Sequence, residues 1–191
     1  MRIGDYTQPP PALQTYLSFW RLGEAPRPLP WLKTEWIRSL QPLTGERVGI
    51  VTYRSVGVYS LLDGTWSSRK LEGNLLGAAA EPGGTRVLTV VGGGGVRSLQ
   101  LRDFEQPESV RALGRLEENS AALALSGGFA LVLAGGQTWL WSLEEAALRV
   151  RLPLDDLRPL SVLARPGGRF LIVTQSGLLI ELGPPATQGG D

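Results

Sequence analysis

Cysteine and histidine are absent from this chain, and most familiar site chemistry goes with them. Without a thiol there is no disulfide and no thiolate nucleophile. Without an imidazole there is no histidine general base, and zinc sites built on His or Cys are excluded. Methionine occurs only at Met1, and asparagine only at Asn74 and Asn119. Apart from Lys33 and Lys70 the basic residues are all arginine, a bias expected of a GC-rich or heat-adapted genome.

Charge of one sign is also missing. Nineteen basic residues face 18 acidic ones, for a net charge of +1. That balance makes no electrostatic case for a nucleic acid or a membrane surface, and neither partner is expected. No apolar run approaches the ~20 residues of a spanning helix. Residues 1–11 contain no apolar stretch of the secretory kind, so the cytoplasm is the expected location.

What the chain has is turn chemistry. It carries 25 Gly and 14 Pro among 191 residues, with 42% apolar residues. All-β proteins built from many short strands look like this. Glycine-centred turns at Thr44-Gly45, Gly83-Gly84, Gly127-Gly128 and Gly167-Gly168 recur about 40 residues apart, each ahead of a short apolar run. Those runs, at 48–53, 86–91, 129–134 and 169–174, are leucine-rich and β-branched without helical spacing, and read as buried strands. A tight turn and a further strand follow at 56–61, 96–101, 138–143 and 177–182, keeping the same period. A fourth strand is expected at 66–71, 109–113 and 148–152; in the last, Leu148, Val150 and Leu152 alternate with Arg149 and Arg151, and the arginines read as a wet face. A first strand precedes each glycine turn at 75–80, 121–125 and 160–164, rich in small residues such as Ala78, Ala79 and Ala80. A helix at 75–81 competes locally, because alanine is a poor strand former.

The stretch Thr138-Trp139-Leu140-Trp141-Ser142-Leu143-Glu144 resembles the third strand of a WD-repeat. Glu81-Pro82-Gly83-Gly84-Thr85-Arg86 and Arg165-Pro166-Gly167-Gly168-Arg169-Phe170 resemble the turn between the first two strands of bacterial WD-like repeats. The resemblance covers residues 39 to 183 and implies a β-propeller of about four four-stranded blades. It departs from the full repeat: without histidine the Gly-His pair is missing, and Ser142 follows Trp141 where that repeat has Asp.

The expected organisation is an N-terminal arm over 1–38, a propeller-like domain over 39–183 and a disordered polar tail over 184–191. In the arm, Leu13, Tyr16, Leu17 and Trp20 fall on one helical face between Pro11 and Gly23, which predicts a short amphipathic helix over 11–22 rather than a purely extended arm. Pro26, Pro28 and Pro30 then form an extended spacer. The last blade is expected to lack its fourth strand, and the stretches 32–40 and 16–22 are candidates to supply it from the other end.

Chemistry is thinly provided. Asp155-Asp156 and Glu144-Glu145 are adjacent pairs, whose members point to opposite faces on a strand. Asp63 and Asp103 read as turn residues. The glycines at 92–95 lack the following Lys and helix of a phosphate loop and read as a hairpin turn. No catalytic residue, metal or cofactor is expected. Six tryptophans mostly suit packing between blades. Trp139, close to Trp141 on one strand, is expected to face the opposite side. With Tyr16, Phe19, Trp20, Trp31 and Trp36 it forms the candidate partner-binding set. The function this points to is a non-enzymatic interaction or scaffold module that binds a protein partner or a second copy of itself. The alternative is a glycan- or small-ligand-binding propeller, including a carboxylate-dependent hydrolase, which would show acidic and aromatic side chains converging on the central channel. Far-ultraviolet circular dichroism is expected to be dominated by strand; helix above about one third of the signal would exclude the propeller reading.

Overall fold

A computed structural model describes residues 17–19, 27–29, 36–93, 95–116, 121–144 and 149–183. The chain divides into two units, Met1–Ile37 and Arg38–Asp191. In the first, β1 (Leu17–Phe19) pairs antiparallel with β2 (Arg27–Leu29), with Ser18 opposite Pro28. The helix expected over 11–22 is therefore not formed at residues 17–19, and the rest of that segment lies outside the described residues. Its motive was a few apolar residues in a window too short to separate helix from strand. Pairing across to Arg27–Leu29 satisfies backbone groups that a helix would have satisfied locally.

From Ile37 onward the chain builds four antiparallel sheets in succession. The first holds β3 (Ile37–Leu43), β4 (Arg47–Thr52), β5 (Ser55–Ser60) and β6 (Trp66–Lys70) in that order. The second holds β7 (Asn74–Ala80), β8 (Arg86–Gly93), β9 (Val96–Asp103) and β10 (Val110–Leu116). The third holds β11 (Ala121–Ser126), β12 (Phe129–Ala134), β13 (Gln137–Ser142) and β14 (Arg149–Leu152). The fourth holds β15 (Pro159–Arg165), β16 (Arg169–Thr174) and β17 (Leu179–Leu182). These are propeller blades in the expected order. The alanines of β7 are strand, not helix. One expectation moves: residues 37–40, offered as part of a closing strand for the last blade, belong to the first strand of the first blade.

Three apolar clusters join neighbouring sheets. Val51 and Val56 of the first sheet meet Leu75, Val87 and Phe104 of the second. Leu88, Val90 and Leu99 of the second meet Leu125, Val132 and Trp141 of the third. Leu131 and Leu133 of the third meet Val162, Phe170 and Ile172 of the fourth. The second strand of an inner blade feeds two clusters by strict alternation: in β12, Ala130, Val132 and Ala134 face one neighbour while Leu131 and Leu133 face the other. Alternation of side-chain direction on a strand buried on both faces produces the unbroken apolar run seen in the sequence.

Polar contacts bind the same edges. Arg47 pairs with Glu105 at 2.7 Å between the first two sheets. Glu81, held by Arg86 through two charge-assisted hydrogen bonds of 2.6 and 2.7 Å, accepts from the Gly127 N–H of the next sheet at 3.2 Å. Ser126 Oγ donates to the Arg165 carbonyl at 2.5 Å and accepts from the Gly168 N–H at 3.0 Å. A Cβ on Gly127 would stand 2.5 Å from the Gly168 Cα, so the two glycine turns touch backbone to backbone. Threonine side chains tie another set of turns: Thr52 Oγ1 accepts from the Ser55 N–H at 2.9 Å, and Thr174 Oγ1 from the Leu178 N–H at 3.0 Å.

Trp141 makes a tight fit in the core. It is 4% exposed, and a Cβ on Gly114 would lie 2.5 Å from its ring. The β9–β10 register shifts between Ala112 and Gly114, which brings the bare backbone of Gly114 under the indole. Gly114→Ala should therefore destabilise the protein by about 1–3 kcal/mol through overpacking. Chemical denaturation is the check, with Gly183→Ala, where a Cβ meets nothing within 4 Å, as the neutral control.

Candidate interaction site

The third blade places two aromatic residues and an arginine on one side. Trp139 and Trp141 are two residues apart on β13, so the pleat turns both toward β10 and not to opposite faces as expected from the sequence. Cross-strand pairing sets Arg149 opposite Trp141 and Arg151 opposite Trp139. The Arg149 guanidinium lies 3.8 Å from the centre of the Trp139 ring and 5.3 Å from that of Trp141. The arginine row of β14, read as a solvated face, therefore covers indole with Arg149. Trp139 is half-buried as a result.

Beside this stack is a cleft of 180 Å³, lined by Arg115 and Leu116 of β10, Ala134 at the end of β12, the turn residue Gly135, and Gln137, Trp139 and Arg149. Sequence reasoning found Trp139 but missed Arg115, Gln137 and Arg149. The available signal was the β13–β14 hairpin register, which puts Arg149 across from a tryptophan.

A second cavity, of 340 Å³, lies where the four first strands come together. Arg38 of β3, Gly77 and Ala78 of β7, Ala122 of β11 and Ser161 of β15 all line it. Small side chains here match the alanine-rich first strands. Arg38, stacked 4.4 Å from the Tyr53 ring centre, is the one charged residue lining it among the described residues.

Among the described residues of the blades, the last sheet has a neighbouring sheet on one face. Val162, Phe170 and Ile172 face the third sheet and are 5%, 1% and 0% exposed. On the opposite side Leu163 and Leu179 are 53% and 60% exposed. Arg165 and Arg169 reach Glu181 at 3.6 and 3.7 Å along the margin of that face.

Of the other candidate residues, Trp36 is 56% exposed. Phe19 lies in β1, and Tyr16, Trp20 and Trp31 fall outside the described residues. No helix among the described residues is long and apolar enough to cross a membrane.

Solved structures with the same arrangement of blades are β-propellers. TolB from Acinetobacter baumannii superposes with a TM-score of 0.55 at 17% identity, over 85% of this chain and 47% of that one. The β-propeller domain of Cps50 (Swd1) from Myceliophteria thermophila gives 0.56 at 10% identity, over 77% and 50%. The computationally designed Ika4 protein gives 0.55 at 13% identity, over 77% of this chain and 90% of that one. The chain thus spans about half the length of the natural structures it resembles. No protein-family model matches the sequence, and no curated protein matches it.

The aspartates singled out in the sequence sit in or beside turns. Asp103 accepts from Thr85 Oγ1 at 2.7 Å and from the Glu105 N–H at 2.8 Å. Asp155 and Asp156 begin a short 3-10 turn, with Asp155 paired to Arg151. No three acidic side chains among the described residues are placed to hold a metal ion. Asp63 accepts from the Thr65 N–H at 3.1 Å and from Thr65 Oγ1 at 2.8 Å. Hydrogen bonds from Ser60 and then Thr65 hold its carboxyl below the ordinary value of 3.8. A depressed carboxyl stabilises the fold above its unfolded pKa and loses that contribution as the pH falls through the folded one. Asp63→Asn should therefore lower stability slightly at neutral pH and converge with the unaltered protein in acid, flattening the acid side of the stability–pH profile, as read by denaturation at stepped pH.

Proposed function

We propose that this chain is a non-enzymatic β-propeller interaction module, a subunit of a larger assembly or homo-oligomer, whose fourth blade is covered by another polypeptide. The uncovered face of that blade carries the reading. At the equivalent positions of the third blade, Leu131 and Leu133 are 0% and 8% exposed because a neighbouring sheet packs on them. The fourth blade presents Leu163, Leu171, Val173 and Leu179 on its outward side, apolar residues with no sheet over them among the described residues. An apolar sheet face beside a strand edge that is unpaired among the described residues is the arrangement that proteins cover by association. The Arg165–Arg169–Glu181 margin gives it a polar rim of the kind that surrounds protein interfaces.

The rival, a glycan-binding or hydrolytic propeller, needs carboxylates and aromatic rings gathered at the axis. The axial cavity is instead lined by small and apolar residues with Arg38, which favours the interaction module. The aromatic residues of the N-terminal segment, Tyr16, Phe19, Trp20, Trp31 and Trp36, are proposed to extend the contact surface.

Sedimentation of the purified chain, together with capture of stoichiometric partners from native cells, tests this. The unaltered chain is expected to associate with itself or with a partner. Leu163→Asp with Leu179→Asp should abolish that association while the melting temperature stays nearly constant, since both side chains are exposed. A monodisperse monomer that recovers no partner would refute the reading.

A further inference from the structure

The geometry points to the cleft beside Trp139 as a seat for an acidic side chain presented by a partner polypeptide, with Arg149 and Arg115 taking its carboxylate. The inference rests on the interaction-module reading and adds a second contact, on another blade, with a defined chemistry. The Arg149 guanidinium carbon lies over the Trp139 ring, 3.8 Å from its centre. Cation–π stacking occupies the flat face of a guanidinium, while its N–H donors project in the plane of the group and stay available. The stack therefore pre-orients a fork of donors without using them. Arg115 lines the same cleft, and neither arginine pairs with a carboxylate among the described residues. Two guanidiniums in one cleft repel each other, and a planar anion that accepts from both relieves the repulsion.

The remaining walls suit a carboxylate on a short apolar stem. Leu116 and Ala134 are apolar, the Trp139 indole continues the wall, and Gln137 adds an amide donor. At 180 Å³ the cleft is smaller than the ~300–1,000 Å³ of sites that enclose whole small-molecule ligands, so it takes a side chain and not a cofactor. Tryptophan and arginine together are the residue types that dominate binding energy at protein interfaces.

The test uses the full chain and three probes: a capped tetraglutamate peptide, its tetraglutamine counterpart, and inorganic phosphate. Binding is followed by calorimetry and by tryptophan fluorescence at low and high salt. The glutamate peptide is expected to bind and weaken at high salt, the glutamine peptide not to bind, and phosphate to bind more weakly than the glutamate peptide. Arg115→Gln and Arg149→Gln should each weaken peptide binding about tenfold, the loss of one charge-assisted contact. Arg149→Lys, which keeps the charge and loses the fork, should fall between Arg149→Gln and the unaltered chain. Equal peptide affinity in the Arg115→Gln/Arg149→Gln double variant, with unchanged circular dichroism, would overturn the assignment. Phosphate binding as tightly as the peptide would overturn the polypeptide ligand in favour of a free-anion site. If the glutamate peptide fails to bind while the chain still associates through its last blade, this inference falls and the interaction-module reading stands.

Discussion

The structure depends on the second strand of each inner blade being buried on both faces. β8 sends Val87 toward the first sheet and Leu88 and Val90 toward the third. β12 divides its side chains in the same way between the second and fourth. Fully burying one such aliphatic side chain contributes about 1.5–3 kcal/mol, and each strand makes that contribution to two interfaces at once. No sheet here has a core of its own. What would be the interior of a two-layer sandwich is distributed along a series of contacts, and every blade is stabilised by its neighbours.

The polar and glycine features follow from that stacking. Sheets brought close enough to bury both faces of a strand also bring their turns together, which is why Gly127 and Gly168 meet with no room for a side chain. Glu81 and Ser126 then satisfy N–H groups on the following blade. Arg102 shows the cost of the same closeness. It is 3% exposed, gives a hydrogen bond of 2.7 Å to Gln100, and leaves Nε and Nη1 without a partner among the described residues. Burial lowers its pKa, against a partial counter-effect from Glu72.

The blades were legible in the sequence because glycine turns and apolar runs share a period, and that period is imposed by the blade itself. Four features were not. β3 reads Ile-Arg-Ser-Leu-Gln-Pro-Leu, alternating and interrupted by Pro42, like an edge strand in an arm; its place as a first strand comes from pairing with β4 and not from its composition. The helical spacing around Tyr16 was too short to weigh against the pairing of Leu17–Phe19 with Arg27–Leu29. The Arg149–Trp139 stack depends on hairpin register, which a run of alternating Arg and Val does not announce, and with it went the cleft. The exposure of Leu163 and Leu179 was equally invisible, since their strands read like those of any inner blade.

Because the apolar clusters among the described residues join each blade to the next, the array behaves largely as a one-dimensional chain of coupled units, whose local stability depends on how many neighbours a unit has. The fourth blade has one neighbour and three strands among the described residues. Its amides are the ones whose hydrogen exchange responds most to a bound neighbour, while the twice-covered strands β8 and β12 exchange only when the whole array opens. Were a molecule to cover that face, its binding would be read in the backbone of β15–β17 before anything was known of its identity.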